Sequence, residues 1–463
     1  DSSWAMDRVN VQLSQRNSSI AIDTYDDYVF DEISDFNYNF DASSLSVSVN
    51  HLIEPEIAKK FCLQAPFNKR PPQENEPPKI TIPDNLPLNF RSSTSTQASF
   101  GNILNELSRG NTDLASRIVT TSPDVTVSTN LGPWVNQRGV FSLDVRNDVF
   151  RDEKVASAQK WLRHGTGQHF ELGIAENNLF IMLADLVLSG PLFGTRLLPI
   201  GTLYDPFIAR GLDSLNYACY QDARFMLVAT PAGITLAPEG GAHQSISSPL
   251  IGIGQPGLSS YEPAYADELA VIMRWAFEYM QAEKGGSIYL RLSTRVIDQP
   301  SREMKPELEN QIIKGAYWHI PPADGARIAI VYSGAVAPEV IEAYGQLKEE
   351  IPELGIMAIT SYDRLYHDWQ RSQVENIEGR NNIDCHIINL LAPLHSNAIL
   401  ITVQDAHPAT LSWLGSATGR KLLPLGVTEF GQSGNIQDLY RQYGIGADAV
   451  IDAAARVSLK HSP

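Results

Sequence analysis

Residues 168–178 read QHFELGIAENN, and the interpretation of the rest of the chain depends on this stretch. A short apolar run, 170–174, is followed by Glu176 just where a helical pattern begins. The pattern predicts a helix over 177–188. An acidic side chain at such a junction most often does no more than stabilise the helix dipole. Next to an apolar patch it is also a candidate functional carboxylate.

On both sides of this stretch, strand and helix patterns alternate, which predicts a mostly parallel sheet with helices on both faces. RFMLVAT is the clearest buried strand, because its apolar run is continuous, as strands covered on both faces require. The predicted strands are 117–125, 196–201, 224–230 and 287–293. The predicted helices are a capped one in 93–110, one over 205–220 and one that starts near Pro263, while 126–168 is predicted to be a polar loop.

A second α/β pattern covers 315–463 and follows a stretch, 298–325, whose prolines and charges predict an interdomain linker. Its predicted strands are 326–334, 355–363 and 398–407, and its predicted helices begin at Pro338, follow 407, and cover 435–444 and 447–459. Residues 1–92 have dense prolines and no sustained period, so they predict an irregular N-terminal arm or a disordered segment. The expected fold class is α/β, with two doubly wound domains, 93–300 and 315–463, after this arm.

The composition excludes several classes of function. The 463 residues are 43% hydrophobic and 19% charged, which is typical of a soluble globular protein. A net charge of −17 argues against nucleic-acid binding and against anionic membranes. Three widely spaced cysteines, Cys62, Cys219 and Cys385, predict neither a disulfide framework nor a zinc site. They favour a reducing compartment, and we expect a cytoplasmic location.

Three motifs together resemble the pyrimidine-binding half of thiamine-diphosphate enzymes. GIAEN (173–177) resembles the Gly-x-x-Glu signature of transketolases, deoxyxylulose-phosphate synthases and 2-oxoacid dehydrogenases. In these families the glutamate bonds the aminopyrimidine ring of the cofactor. A carboxyl that shares a proton with the ring nitrogen shifts the ring toward its basic imino tautomer. The resemblance therefore implies this catalytic role for Glu176.

The other two motifs lie further along the chain. In PIGTLYDPF (199–207), Tyr204 and Phe207 stand about where the families place aromatic rings against the pyrimidine, although core packing explains each ring equally well. Ile174 matches the apolar residue that touches the cofactor. PEGGAHQS (238–245) resembles the acidic-Gly-x-x-His loop, which implies that Glu239 and His243 are catalytic. A histidine there can donate a proton or a hydrogen bond to a substrate carbonyl or carboxylate.

SYEPAYADELAVIM (260–273) distinguishes among these families, since it is closest to the homodimeric 2-oxoacid dehydrogenases. PLGVTEFGQSG (424–434) resembles the C-terminal domain of the same family, which stabilises the dimer. The resemblance covers about 93–463. His386, His395 and His407 lie in the C-terminal part and are interpreted as structural or surface residues.

The family anchors the diphosphate and Mg²⁺ with Gly-Asp-Gly followed by Asn-Asn, and no Gly-Asp-Gly occurs in this sequence. The resemblance therefore implies thiamine diphosphate and magnesium as cofactors, with no metal ligand in this chain. A diphosphate-binding domain of another chain, or of a part outside this sequence, would complete the site. The implied partners are a 2-oxoacid such as pyruvate, a lipoyl acyltransferase, and further subunits in a homodimer or heterotetramer.

The implied activity is oxidative decarboxylation of a 2-oxoacid with acyl transfer to a lipoyl group. Two alternatives remain open. A transketolase-type ketol transferase would need basic residues for a sugar phosphate, and the loop at 240–248 is neutral. A non-catalytic assembly or regulatory subunit would explain the missing diphosphate motif. Against it stand Glu176, Glu239 and His243, all in register with the family motifs.

Overall fold

A computed structural model describes residues 60, 63–64, 77–89, 92–144, 153–155, 160–378 and 384–459. In these residues the strands form three sheets. The strands are β1 (Ser93–Thr94), β2 (Ile118–Ser122), β3 (Val140–Phe141), β4 (Arg163–His164), β5 (His169–Glu171), β6 (Leu198–Leu203), β7 (Met226–Ala229), β8 (Leu258–Tyr261), β9 (Ser287–Arg291), β10 (Ile297–Asp298), β11 (Ala316–Ile320), β12 (Ile328–Ser333), β13 (Gly355–Ile359), β14 (Ile399–Gln404) and β15 (Lys421–Leu425).

Helices connect the strands and cover the faces of the two larger sheets. They are α1 (Thr96–Arg109), α2 (Asp113–Arg117), α3 (Gly132–Arg138), α4 (Glu176–Phe193), α5 (Leu212–Tyr220), α6 (Ser248–Gly254), α7 (Ala266–Tyr279), α8 (Pro306–Lys314), α9 (Ala337–Leu347), α10 (Tyr362–Ile377), α11 (His386–Leu391), α12 (Ala409–Thr418), α13 (Ile436–Gln442) and α14 (Ala447–Leu459). In the described part of the chain, no helix combines the length and the apolar character needed to cross a membrane.

The larger sheet has eight strands in the order β4-β3-β5-β2-β6-β7-β9-β8, and every pair in it is parallel. Its central strands β2, β6, β7 and β9 are buried along their whole length. Helices on both faces account for this burial, and continuous apolar runs are what such strands need. The predicted parallel α/β architecture is confirmed.

The second sheet has five strands in the order β11-β13-β12-β14-β15. Strands β13, β12, β14 and β15 pair in parallel, and β11 adds an antiparallel edge next to β13. The small third sheet pairs β1 with β10. The described residues from 77 onward form one compact unit, and a single hydrophobic cluster contains side chains of both larger sheets, such as Leu290 and Ile330. The predicted domain boundaries stay a prediction.

Two sequence-based expectations were wrong, and the linker predicted at 298–325 stays a prediction. This stretch contains α8 and β11. Pro306 occupies the first turn of α8, where a missing N–H costs no hydrogen bond. The expected loop, 126–168, contains α3 and the short strands β3 and β4.

Helix α7 begins at Ala266 rather than near Pro263. A carboxylate oxygen of Glu268 accepts hydrogen bonds from the N–H groups of Ala264 and Tyr265 at 2.8 and 3.1 Å, and these bonds cap the helix at that point.

The arm predicted for 1–92 falls mostly outside the described residues. Within it, 77–89 contain neither helix nor strand. Ile80 donates its N–H to the side chain of Gln281 at 2.7 Å and accepts from the same side chain at 3.2 Å. Both Ile80 and Leu86 belong to the main hydrophobic cluster. This short extended segment is therefore part of the core.

A buried charged cluster connects the two larger sheets. Arg291, the last residue of β9, is fully buried and donates to Asp205 Oδ2 at 2.9 Å and to Glu262 Oε1 at 2.5 Å. It also donates to the backbone oxygen of Asp405 at 2.9 Å, just beyond β14 of the second sheet. The carboxyl groups of all three acidic residues are buried. One guanidinium cannot neutralise three carboxylates, so one of them is expected to keep its proton.

Among these three groups, we expect the carboxyl of Glu262 to keep the proton. Burial raises the pKa of Glu262 to about 7, although the guanidinium of Arg291 lowers it, and the charges of Asp405 and Asp205 raise it further. The pKa of Glu262 in the folded chain is higher than the ordinary value of 4.5. The group therefore contributes unfolding free energy that is fully present below pH 4.5 and is lost as the pH rises through 7.

We therefore expect Glu262→Gln to flatten the pH dependence of stability. Between about pH 4.5 and pH 8 the wild type should lose roughly 3 kcal/mol of unfolding free energy that the variant retains. Urea unfolding at pH 5 and pH 8 measures this difference, with the exposed Glu350→Gln as the control. Equal pH slopes for all three proteins would contradict the protonated state of Glu262.

Candidate active site

Three segments of the large sheet end at the same edge. Glu176 follows β5 and opens α4, Tyr204 follows β6, and the loop that carries His243 follows β7. Strands β5 and β6 flank β2, and β7 lies next to β6, so their carboxyl ends adjoin. Ligands of parallel α/β sheets bind at this edge. The sheet order thus brings together motifs that are far apart in the sequence.

Glu176 is only 7% exposed although it lies at the start of a helix. Its Oε1 accepts a hydrogen bond from Arg210 Nη1 at 2.6 Å. The two residues approach because Gly211 lies against Phe180 and against the backbone oxygen of Glu176, where any side chain would collide. Arg210 was not among the residues selected from the sequence.

Tyr204 and Phe207 form a stacked pair, with ring centroids 5.9 Å apart and an interplanar angle of 22°. The guanidinium carbon of Arg210 lies 3.7 Å from the centroid of Phe207. A flat group that donates N–H therefore rests on Phe207 and bonds to Glu176. These two contacts are the ones that an aminopyrimidine ring would require, so the residues present fit the ring.

His243 also contacts the aromatic pair. Its ring makes edge contacts with Tyr204 and Phe207, at centroid distances of 5.9 and 5.4 Å. Its Nδ1 lies 3.8 Å from Glu239 Oε2. The structure thus brings five of the six residues selected from the sequence into one connected group.

Ile174 is the exception. Its side chain is 77% exposed on the loop before α4 and is not among the aromatic or ionic contacts of this group. An exposed apolar side chain beside a buried carboxylate suits contact with a ligand or another subunit, but its predicted cofactor contact stays a prediction.

The loop of His243 is held against the C-terminal part of the chain. Gly240 has a φ of +85°, and side chains at Gly240 and Gly241 would collide with Ser433 and with the backbone of Gly431. Gln244 donates to the backbone oxygen of Gln432 at 3.0 Å. The two glycines of the motif therefore allow close approach of 431–433, a contact that the sequence did not predict.

Asp205 connects the aromatic pair to the loop of His243. Its Oδ2 accepts hydrogen bonds from the hydroxyl groups of Ser245 and Ser248 and from Arg291, and its Oδ1 accepts one from Tyr289. Asp205 and Arg291 were missed in the sequence. A signal was present, because an arginine inside the buried strand pattern SIYLRLS requires a buried carboxylate partner.

A cavity of about 640 Å³ opens beside this group. Its walls come from the segment after Tyr204, from the loop of His243 and from the exposed ring of Phe430. The side chains that line the cavity are mostly small and apolar. No group of His, Cys, Asp or Glu that could hold a metal ion occurs in the ranges that the structure describes.

The sequence is similar to thiamine-diphosphate enzymes of two kinds. Residues 90–298 match the family model of the pyruvate dehydrogenase E1 component middle domain. The chain is 25% identical over 380 residues to the pyruvate dehydrogenase E1 component of Escherichia coli (strain K12), which covers 78% of the chain and 41% of that protein. It is 23% identical to one subunit of the apulose-4-phosphate transketolase of Actinobacillus succinogenes, over 61% of the chain and 82% of that protein.

Solved structures of transketolases share the fold. A transketolase from Leishmania mexicana superposes with a TM-score of 0.62 at 18% identity, over 82% of this chain and 48% of that one. The chain spans less than half the length of the pyruvate dehydrogenase components that it matches.

The position of Asp205 leads to a prediction about stability. Asp205→Ala should lower the unfolding free energy by about 3–5 kcal/mol, since it removes one partner of a buried arginine. Asp213→Ala, at an exposed position on α5, should change it by less than about 0.5 kcal/mol. Urea unfolding measures both, and hydrogen exchange should rise at 241–248 only in the Asp205 variant. Equal effects of the two substitutions would contradict the assigned role.

Proposed function

We propose that this chain provides the pyrimidine-binding half of a 2-oxoacid decarboxylating dehydrogenase of the transketolase-like thiamine-diphosphate superfamily. The observation that carries the proposal is the connected group Glu176, Phe207, Tyr204 and His243 at the carboxyl edge of the parallel sheet. The pyruvate dehydrogenase match over 90–298 supports the dehydrogenase type.

Each residue has a role that its position allows. Glu176 would hold a proton between its carboxyl and a pyrimidine nitrogen, and burial keeps water from competing for that carboxyl. Tyr204 and Phe207 would hold the ring flat by stacking. Thiamine diphosphate, when bound, supplies a nucleophilic carbon and a thiazolium ring, which accepts the electron pair that the departing carbon dioxide leaves behind.

His243 and Glu239 would act on the substrate. A histidine beside the aromatic pair can donate a hydrogen bond to the carbonyl or carboxylate of a 2-oxoacid. Glu239, at 3.8 Å from Nδ1, would orient the ring and fix which nitrogen carries the proton. In this proposal the diphosphate and Mg²⁺ are bound by a domain outside this sequence, and the acyl product passes to a lipoyl partner.

A transketolase-type ketol transferase is the second candidate. The structural likeness to a transketolase and the match to one subunit of another favour it. That match also supports a site completed by a second chain. Against this candidate, 240–248 contains no lysine or arginine for a sugar phosphate, and Arg210 is already paired with Glu176.

Thiamine-diphosphate binding tests the proposal. Calorimetry with the cofactor and Mg²⁺, on the chain alone and with any co-purifying partner, should detect binding that Glu176→Gln weakens by at least about tenfold, since one charge-assisted hydrogen bond is lost. Glu278→Gln removes an exposed carboxylate that is also paired with an arginine, and should bind like the wild type.

The complex that binds should then be supplied with labelled pyruvate and with a ketose phosphate. Release of carbon dioxide from pyruvate supports the dehydrogenase, and transfer of a two-carbon unit from the ketose phosphate supports the second candidate. A folded chain that binds no cofactor in either setting would contradict both.

A further inference from the structure

We propose that the guanidinium of Arg210 is a substitute for the aminopyrimidine ring. In the free chain it occupies the position of the ring, and it must leave before the ring can bind. This inference rests on the proposed function and adds a form of regulation to the same site.

The contacts of Arg210 are those expected of the ring. Its guanidinium is flat and cationic, lies 3.7 Å from the centroid of Phe207, and donates to Glu176 at 2.6 Å. An aminopyrimidine would also place one face on an aromatic ring, and its ring nitrogen would share a proton with the same carboxyl group. Both groups need the same layer of space above Phe207, and close-packed atoms cannot share it. Binding of one therefore excludes the other.

The side chain of Arg210 can move while its backbone stays in place. It is 51% exposed, and its guanidinium pairs with Glu176 and Phe207. The backbone on either side is fixed, by the buried carboxylate of Asp205 and by Gly211, which packs on Phe180. Arg291 is not free to move in this way, because its side chain is fully buried and bonds to four groups. A swing of Arg210 would leave the fold intact.

The contacts that hold Arg210 in place are weak enough for a ligand to displace its side chain. An ion pair with one exposed partner and one stacking contact is weak enough for a ligand to compete with it. If the closed position is occupied for roughly 80–97% of the time, the apparent affinity for the ring falls by about five- to thirtyfold. The site would then stay closed until the diphosphate anchor of a partner supplies the remaining affinity. Assembly and cofactor binding would be coupled in this way.

The test uses a ligand that needs neither diphosphate nor metal. The probe is 4-amino-5-hydroxymethyl-2-methylpyrimidine, the pyrimidine half of thiamine, titrated into the full chain and followed by NMR. Arg210→Met keeps the aliphatic stem and removes the charge. Arg109→Met is the matched control, since Arg109 is exposed and paired with Glu106 on α1. Thermal unfolding verifies that each variant is folded.

Arg210→Met should bind the probe about five- to thirtyfold more tightly than the wild type, and Arg109→Met should not differ from it. Adding Glu176→Gln to Arg210→Met should remove the gain, because an amide cannot share a proton with the ring nitrogen as a carboxyl does. Salt should tighten binding to the wild type by weakening the ion pair, and should not do so in Arg210→Met.

Equal or weaker binding by Arg210→Met would overturn the inference, since the arginine would then be neutral or would help to hold the ligand. In that case thiamine-diphosphate binding that depends on Glu176 would still support the proposed function. If no variant binds the probe and none binds thiamine diphosphate, both proposals fail. Probe binding that is unaffected by Glu176→Gln in the Arg210→Met background would also overturn the inference, because the ring would lie elsewhere.

Discussion

The arrangement of the site depends on one buried arginine. Arg291 ends a central strand of the large sheet, with no exposure to solvent, and bonds to a carboxylate from each of two other segments. A buried charge without partners would cost several kcal/mol, so the segments that provide the partners must stay where they are. Asp205 fixes the aromatic pair, and Ser245, which also bonds to Arg291, fixes the loop of His243.

The same cluster extends to the second sheet. The carboxylate of Asp405 accepts from the N–H of Ile234 at 2.9 Å and from the hydroxyl of Tyr440 at 3.0 Å. Ile234 belongs to the segment between β7 and the loop of His243. The C-terminal part of the chain therefore supports the site without contributing a residue to the stacked rings. This is a physical reason for both α/β parts to occur in one chain.

The parallel sheet could be predicted because its strands are continuous apolar runs, as at β7 and β12. The helices and strands that were missed have weaker hydrophobic patterns in the sequence. Strand β15 contains Pro424 and is only partly buried, and α10 has many polar residues, with Tyr362 and Leu365 among the few that reach the core. Helix α8, inside the predicted linker 298–325, was missed because a proline that starts a helix and a proline that interrupts one look alike in a sequence.

The motifs selected Glu176, Tyr204, Phe207, Glu239 and His243, and the structure brings these residues together, while their roles stay predictions. Arg210 and Asp205 were missed for a physical reason. Arg210 meets Glu176 across 34 positions of the sequence and Asp205 meets Arg291 across 86. Such pairings depend on the order of strands in the sheet. A single sequence, without that order, does not show them.

The most direct test of a pyrimidine site at this edge is a crystal structure of the chain with thiamine diphosphate, together with any partner that binds it. We expect the ring to lie flat on Phe207, with a ring nitrogen about 2.7–3.0 Å from a carboxylate oxygen of Glu176 and the guanidinium of Arg210 displaced. A ring bound elsewhere, with Arg210 still paired with Glu176, would contradict this expectation.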